Sequence, residues 1–448
     1  MDVLGLGAVC LVAGEWMALG WLSDVDWPHP EASSSNVFWA PRWALRLLVG
    51  SCLTAFAQLG LATFGPGFAS IPLVLATAAV SSGALRLVQR SGRHDQGTGD
   101  DLPQAMGWPE RAGWALLGLV LLAAIARALR VPEAGWDAFS HWGLRAQAYA
   151  LAGTLVDAHS EHEYYPPLVP LLEAWLYLHR GLVSIDLGKG ISALIGSAFG
   201  VCLAWHLSLS LSLRWLAPWL AAAILAATTA LLESFWTGQA DLALTAYFSL
   251  ATLAMLQWRR APSRVWLVHA ALFAAAAALT KLEGFPRIAI VAAALVAETL
   301  LVRRLARARN SMAALVPVVA AGLGLLTWSA FAATHGITAN TEHLGPFQPL
   351  AIGGVLLGLA AVFGGVRTGG GILVAGLAWA AAGRCMYSGW PRSISLVVLG
   401  ELAGTLIAFL LSSTSPEIEV RTSATRLFEQ FLPLALFAGA VGMARVRL

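Results

Sequence analysis

Charged residues are scarce in this 448-residue chain. Aspartate, glutamate, lysine and arginine together make up 12% of it, against about a quarter of a typical soluble domain. Hydrophobic residues make up 58% and come in long blocks such as Ala115–Ala126, Ile191–Leu213 and Met312–Ala333. Because a segment that is apolar all round needs lipid or protein on every side, the composition excludes an ordinary soluble enzyme and predicts a membrane-embedded protein.

Cysteine is also rare. The four cysteines, Cys10, Cys52, Cys202 and Cys385, lie in or beside apolar segments. Their spacing fits neither a disulfide framework nor a CxxC metal site. We therefore interpret them as small apolar side chains within helices.

The apolar blocks predict an all-α protein, because in lipid each backbone polar group must be satisfied within its own segment. We expect a polytopic transmembrane bundle of about 11–13 spans. The stretch Gly371–Gly383 is apolar but too short for a full crossing. The first span lacks a basic n-region, so we expect it to be retained rather than cleaved as a signal peptide. The predicted spans are 3–22, 44–64, 67–88, 112–130, 187–212, 216–233, 240–258, 264–280, 286–302, 311–334, 347–366, 394–412 and 427–444.

Lysine is nearly absent, so arginine marks the cytoplasmic side by the positive-inside rule. Arginines cluster within 86–93, 259–264, 303–309 and 445–447. Threading the spans between these clusters predicts outer segments at 131–186, 234–240 and 281–286. If Arg384 and Arg392 are also cytoplasmic, one crossing lies between 335 and 383, and 413–426 is outside. Arg127, Arg130 and Arg145 then lie on or near the outer side, against the rule, which indicates a local role for them.

A polar stretch divides the chain. Residues 91–111 are predicted to be a cytoplasmic linker between a three-span N-terminal unit, 1–90, and a larger membrane region, 112–448. We expect the protein in the plasma (inner) membrane.

The outer segment 131–186 is rich in polar residues and is expected to carry short helices. Asp137 lies in it between Trp136 and Phe139, and enclosure by aromatic side chains would raise the pKa of its carboxyl, which suits a general base. The alternative is a solvated loop aspartate. Of the four histidines in the segment, His141 follows Asp137 by four residues.

Further acids and bases fall on the same predicted face. Asp241 opens a span, where the helix dipole alone also explains an acid. Lys281 and Glu283 are spaced to pair with each other, which leaves Arg287 free to bind a phosphate through its planar fork. Arg426 begins the last predicted span. For the basic residues the alternative is a side chain that snorkels to the interface.

A loop cluster contains side chains that are able to bind metal. Its members are Asp157, His159, Glu161, His162 and Glu163. Their spacing matches no fixed signature such as HExxH. A solvated polar loop explains them, and a divalent metal ion at His159, Glu161 and His162 is the alternative.

The order of these motifs resembles the GT-C superfamily of bacterial membrane glycosyltransferases, which includes protein O-mannosyltransferases and lipid A aminoarabinose transferases. The resemblance runs from about Gly113 to the C-terminus. It is carried by Trp136-Asp137, Tyr165-Pro166-Pro167-Leu168, Ala240-Asp241, Thr280-Lys281-Leu282-Glu283-Gly284 and the late Thr-Ser-x-x-Arg that ends at Arg426. The chain departs from the superfamily at Glu417-Ile418-Glu419-Val420-Arg421, where Arg421 replaces a histidine.

The resemblance implies a sugar donor carried on a polyprenyl phosphate, and inverting transfer on the extracytoplasmic face to a glycan, lipid or protein acceptor. It assigns catalysis to Asp137 and a second acidic role to Asp241. It assigns binding of the donor phosphate to Lys281, Arg287 or Arg426. Glu283 and His141 are further candidates for binding the donor or substrate, and Tyr164, Tyr165 and Trp142 are suited by their rings to stack on the sugar.

Two other functions compete with this hypothesis. A transporter or lipid-linked-sugar flippase needs polar groups along a path near the midplane. Glu15, His206 and Glu401 are candidates, but no inverted repeat joins them. A non-catalytic scaffold does not need a polar outer segment of this kind. No basic patch beyond the cytoplasmic arginines indicates nucleic-acid binding.

Overall fold

The computed structural model of the protein describes part of the chain, and all structural statements below refer to that part. The described residues are 3–23, 39–65, 67–68, 70–90, 106–131, 136–155, 163–211, 213–301, 313–337, 355, 390–411, 423, 426–428 and 430–445. These ranges are 87% helical and contain no strand, which confirms the predicted all-α class.

Fifteen α-helices make up the described bundle. In the N-terminal half they are α1 (Val3–Leu22), α2 (Trp39–Phe64), α3 (Ile71–Arg90), α4 (Trp108–Arg130), α5 (Leu144–Ala152), α6 (Leu168–Arg180), α7 (Ile185–Ser210) and α8 (Ala217–Ala227). In the C-terminal half they are α9 (Thr229–Thr237), α10 (Ala240–Arg260), α11 (Arg264–Thr280), α12 (Gly284–Leu301), α13 (Val316–Thr334), α14 (Trp390–Leu410) and α15 (Leu432–Arg445). Six of them, α2, α4, α7, α10, α13 and α14, are long and apolar enough to cross a membrane.

The predicted spans match these helices with one clear exception. The predicted span 216–233 is broken at Thr228 into α8 and α9, so it was wrong as a single helix. The Thr228 hydroxyl donates to the carbonyls of Ile224 and Leu225, both at 3.0 Å, and its backbone leaves the helical region. Such a side chain competes for the carbonyls of the preceding turn. Apart from Val355, the predicted span 347–366 lies outside the described residues, as does the short stretch 371–383.

The segment between α4 and α7 carries short helices, as expected. A π-helical turn at Ala138–Gly143 continues directly into α5, and α6 follows. The chain reverses after α5 at Gly153, whose φ of 66° lies in the left-handed region that glycine adopts without strain.

Helix α10 lies at the centre of the bundle. All residues of its apolar stretch are buried, whereas only 28% of the apolar stretch of α4 and 22% of that of α13 are buried. Both helices expose large apolar side chains, among them Leu119, Leu122, Leu323 and Leu326. A surface of this kind suits contact with lipid.

The three N-terminal helices share the core of the rest of the chain. The Ser51 hydroxyl of α2 hydrogen-bonds the Tyr247 hydroxyl of α10 at 2.8 Å, and Glu15 of α1 contacts His179 of α6 at 2.9 Å. The predicted unit 1–90 therefore packs against the larger region. The linker that was predicted to separate them lies mostly outside the described residues, so the domain division stays a prediction.

The crossing of α1 and α2 depends on glycine. A Cβ atom on Gly50 would lie 2.0 Å from the carbonyl oxygen of Trp16, whereas one on Gly60 in the same helix would meet nothing within 4 Å. We expect Gly50→Ala to destabilise the protein by about 1–3 kcal/mol, because the two backbones must separate. Gly60→Ala is the matched control and should be neutral or slightly stabilising. Thermal unfolding in detergent measures both; equal melting temperatures for the two variants would contradict the close approach.

Candidate functional site at one end of the bundle

Four of the predicted site residues form a connected ion-pair cluster at the end of the bundle where α10 begins. Nη1 of Arg426 lies 2.5 Å from Oδ2 of Asp137, and Nε of Arg426 lies 3.9 Å from Oδ2 of Asp241. On the other side of Asp241, Nζ of Lys281 lies 3.0 Å from Oδ1. Arg426 thus joins two acids that are 104 positions apart in the sequence, and Lys281 extends the cluster.

A tight turn between α11 and α12 places Lys281 in this cluster. Helix α11 ends at Thr280, and Lys281 is in an extended conformation with φ −150° and ψ 155°. Its carbonyl accepts from the Gly284 amide at 3.0 Å. A Cβ atom on Gly284 would lie 2.0 Å from the carbonyl oxygen of Ala277, so only glycine lets α12 start here. The predicted pairing of Lys281 with Glu283 is therefore wrong, since Lys281 faces Asp241 instead.

The surroundings of Asp137 differ from the predicted aromatic enclosure. The neighbouring side chains of Trp136 and Phe139 are exposed, and the carboxylate is paired with Arg426. Its side chain is 32% exposed, so it is neither buried among rings nor freely solvated. Nε2 of His141 lies 4.0 Å from its Oδ1. The acid also immediately precedes the π-helical turn, a distortion that is frequent at functional sites.

Three hydrogen bonds hold Arg287 in place, which corrects the expectation that it is free to meet a phosphate. It is buried, and it donates to Oε2 of Glu401 at 2.5 Å, to Oε1 of Gln430 at 2.7 Å and to the carbonyl of Leu427 at 3.3 Å. Because Glu401 lies in the apolar helix α14, an acid buried at this position needs a cation. Arg287 provides one.

Gln430 is a site residue that the sequence did not indicate. Its Nε2 donates to Oδ1 of Asp241, and its Oε1 accepts from Arg287. The amide therefore connects the Asp241 cluster to the Arg287–Glu401 pair. The only signal available was its position four residues after Arg426, which places the two on one side of a helical turn.

The cluster carries more acids than bases among the described residues. Its cations are Lys281, Arg287 and Arg426, and its carboxylates are Asp137, Asp241, Glu283 and Glu401. Each cation has a carboxylate within 3.0 Å. Oε2 of Glu283 is buried without a hydrogen-bond partner in the described part of the chain. Burial alone would lower the pKa of Arg426, but the charges of Asp241 and Asp137 outweigh it and raise that pKa, so Arg426 remains a cation.

Aromatic rings line the cluster beside Asp137. The rings of Tyr164 and Tyr165 stack with their centroids 4.7 Å apart, and Tyr165 stacks on His141 at 6.4 Å. Burial raises the pKa of both tyrosines, and the charge of Glu283 adds to the effect. Their hydroxyls are therefore neutral near pH 7. A flat, neutral wall with hydroxyl groups suits stacking on a sugar ring.

Arg145 fixes the backbone that carries this wall. Its guanidinium is completely buried and donates to the carbonyls of Glu163 and Tyr165, at 3.4 and 2.8 Å, and to the Tyr149 hydroxyl at 2.8 Å. Nε1 of Trp328 donates at 3.1 Å to the carbonyl of Tyr164, the residue between those two. The local role expected for this arginine is thus a structural one beside the site.

Two other sets of predicted residues do not join the cluster. Arg127 packs over the ring of Trp236 at 4.3 Å. Of the residues considered for a transport path, Glu15 contacts His179 and Trp175, and His206 lies against the ring of Trp205. Within the described ranges, each of them has local contacts of its own, and only Glu401 is connected to the site.

No described group of three or more histidine, cysteine or acidic side chains is arranged to hold a metal ion. The weak metal candidates His159, Glu161 and His162 lie outside the described residues. A divalent metal ion therefore stays a prediction.

Comparison with known proteins gives no identity. Neither a protein family, nor a curated protein, nor a solved structure matches the chain. The residues of the site are thus the basis for any functional proposal.

Replacing Gln430 by alanine should destabilise the protein. The change leaves Asp241 with one donor fewer and Arg287 with one acceptor fewer, both in a buried setting, at a cost of about 1–3 kcal/mol. Gln257→Ala is the matched control, because the Gln257 side chain makes one long hydrogen bond within the described part of the chain, to Ser210 at 3.4 Å. Thermal unfolding in detergent compares the two variants. If the Gln430→Ala protein has the same melting temperature as the control, the hydrogen bonds of Gln430 to Asp241 and Arg287 contribute little to stability.

Replacing Arg145 by glutamine should loosen the aromatic wall. Glutamine is too short to reach the carbonyls of Glu163 and Tyr165, so these groups are left buried with fewer donors. We expect faster amide hydrogen exchange, by about tenfold or more, across 163–171. Arg130→Gln serves as the control, since Arg130 is exposed at the end of α4. Unchanged exchange in the Arg145 variant would mean that Trp328 alone holds the segment.

Proposed function

We propose that this protein is a membrane glycosyltransferase of the GT-C type. In this proposal it transfers a sugar from a polyprenyl-phosphate donor to an acceptor hydroxyl on the extracytoplasmic face, with inversion at the anomeric carbon. The observation that carries the proposal is the Asp137–Arg426–Asp241–Lys281 cluster. It combines a partly exposed carboxylate with cations at the end of an apolar bundle, where a lipid phosphate and a water-soluble acceptor are both able to arrive.

The reaction needs few protein groups. The acceptor oxygen attacks the anomeric carbon of the donor sugar, the bond from that carbon to the phosphate oxygen breaks, and the lipid phosphate leaves with the electron pair. Asp137 takes the proton of the acceptor hydroxyl. Arg426 stabilises the negative charge that develops on the phosphate. A phosphate held in this way is a good leaving group, so no acid has to protonate it.

The remaining residues support this step. Asp241 holds Arg426 in place, and Lys281 partly compensates the negative charge of Asp241. Tyr165 and His141 provide the stacking surface beside Asp137 for the sugar ring. Arg287, once expected to bind phosphate, instead compensates Glu401 and, through Gln430, orients Asp241.

We place the cluster on the extracytoplasmic side of the plasma membrane. The opposite end of α10 carries Arg259 and Arg260, and Arg259 pairs there with Glu298 at 2.5 Å. Arginine-rich ends favour the cytoplasm. The proposal retains the count of about 11–13 spans. Six helices in the described part of the chain are long and apolar enough to be among them.

The first test is transfer of radiolabelled sugar from a panel of polyprenyl-phosphate sugars by the purified protein, with membrane extract as the source of acceptor. Asp137→Asn should lower the transfer rate by about 10²–10⁴-fold, because the general base is lost. Glu233→Gln is the control, since it removes an exposed acid of α9 that makes no ion pair with the cluster among the described residues.

The outcomes separate the competing functions. If the Asp137→Asn protein transfers sugar at the wild-type rate, Asp137 is not the base. If no donor is consumed by the wild type although labelled lipid crosses reconstituted vesicles, the protein is a flippase and the transferase proposal falls.

A further inference from the structure

We infer that Arg426 masks Asp137 in the free protein and that the phosphate of the donor lipid releases it. The inference rests on the proposed function, and it adds an order of events: the donor binds first, and only then is the base available to the acceptor. The observations behind it are the partial exposure of the Asp137–Arg426 ion pair, the position of Arg426 between Asp137 and Asp241, and the buried Nε of Arg426, which has no hydrogen-bond partner in the described part of the chain.

Arg426 is the cation that an arriving phosphate meets. Its side chain is 34% exposed, whereas those of Lys281 and Arg287 are 6% and 7% exposed. The two buried cations are also held by acids that are themselves buried. A phosphate that approaches this end of the bundle from lipid or water therefore reaches the guanidinium of Arg426 before either of the others.

Asp137 occupies the guanidinium edge that a phosphate would use. A guanidinium binds phosphate through two parallel N–H groups. In the free protein, Nη1 already donates to Asp137 at 2.5 Å. Nε is buried, lacks a hydrogen-bond partner in the described part of the chain and lies 3.9 Å from Asp241. Because Nε is buried beside Asp241, the guanidinium edge left for a phosphate is the one formed by Nη1 and Nη2. An arriving phosphate therefore competes with Asp137 for Nη1, while Asp241 stays beside Nε in either case.

Release changes what Asp137 is able to do. A carboxylate that accepts a charge-assisted hydrogen bond is a weak base, because the same lone pairs must take up the proton. Once displaced, Asp137 has His141 at 4.0 Å as its remaining described partner and faces the aromatic wall. The side chain is partly exposed, so it is able to turn toward an acceptor hydroxyl without the bundle opening.

Competition has an unusual consequence for binding. If Asp137 and phosphate exclude each other from Arg426, then removing the charge of Asp137 must strengthen phosphate binding even though it slows catalysis. A carboxylate that merely helped to bind the donor would have the opposite effect. The coupling energy expected between two side chains in contact, here Asp137 and Arg426, corresponds to a gain in affinity for phosphate of about three- to tenfold.

The experiment measures binding of farnesyl phosphate, inorganic phosphate and uncharged farnesol to the full-length protein in detergent by isothermal titration calorimetry. Asp137→Asn should bind farnesyl phosphate about three- to tenfold more tightly than the wild type. Arg426→Gln should lose most of the binding, and Asp137→Asn in the Arg426→Gln background should recover none. Glu233→Gln, which also removes one negative charge, should bind like the wild type.

Each outcome decides something. Tightening in Asp137→Asn but not in Glu233→Gln supports masking rather than a general effect of net charge. If the wild type binds farnesyl phosphate and Asp137→Asn binds it equally or more weakly, the inference is overturned while the proposed function stands. If no form binds any phosphate, both fall. Equal affinity for inorganic and farnesyl phosphate would overturn the lipid as the source of the anion. Melting temperatures of all variants confirm that each protein is folded.

Discussion

Charge is costly to bury among apolar helices unless each charge is paired and hydrogen-bonded, and the site depends on this constraint. Asp241 begins the most buried helix of the bundle, and Glu401 lies within another apolar helix. Lys281, Arg287 and Arg426 compensate them from three other parts of the chain. The ion pairs therefore fix the relative positions of α10, α11, α12 and α14, as well as of the segment that precedes α15.

Within this network the degree of burial separates two kinds of residue. Lys281, Arg287, Gln430 and Glu401 are inaccessible, so their contribution is to hold others in place. Asp137 and Arg426 are the partly exposed members, and they are joined to each other. In the proposed reaction these two groups act directly, and the buried residues behind them hold them in place, as packed supporting residues generally do for catalytic side chains.

The sequence predicted those features that follow from local chemistry. Long apolar blocks predicted the helices, and the arginine clusters predicted that Asp137, Asp241, Lys281 and Arg426 share one end of the bundle. What it missed depends on tertiary contacts. Arg287 was expected to be free because its acid, Glu401, is 114 positions away in the chain, and no spacing rule relates two residues on different helices. Gln430 carries no charge and belongs to no motif, so only its two hydrogen bonds reveal it. The break at Thr228 lies at a pair of threonines between two apolar runs. Average hydropathy joins the two runs into one span and does not register a change in backbone direction.

The contact between Trp328 and the carbonyl of Tyr164 links the site to a helix at the apolar surface of the bundle. Helix α13, which carries Trp328, packs closely against α11 and exposes Val319, Leu323 and Leu326 elsewhere on its surface. The tilt of such a helix is set by the helices that it packs against. Its indole holds the middle one of three consecutive carbonyls beside the stacked tyrosines. The position of the aromatic wall therefore depends on the contact between α11 and α13, although α13 contributes no residue to the ion-pair cluster described above.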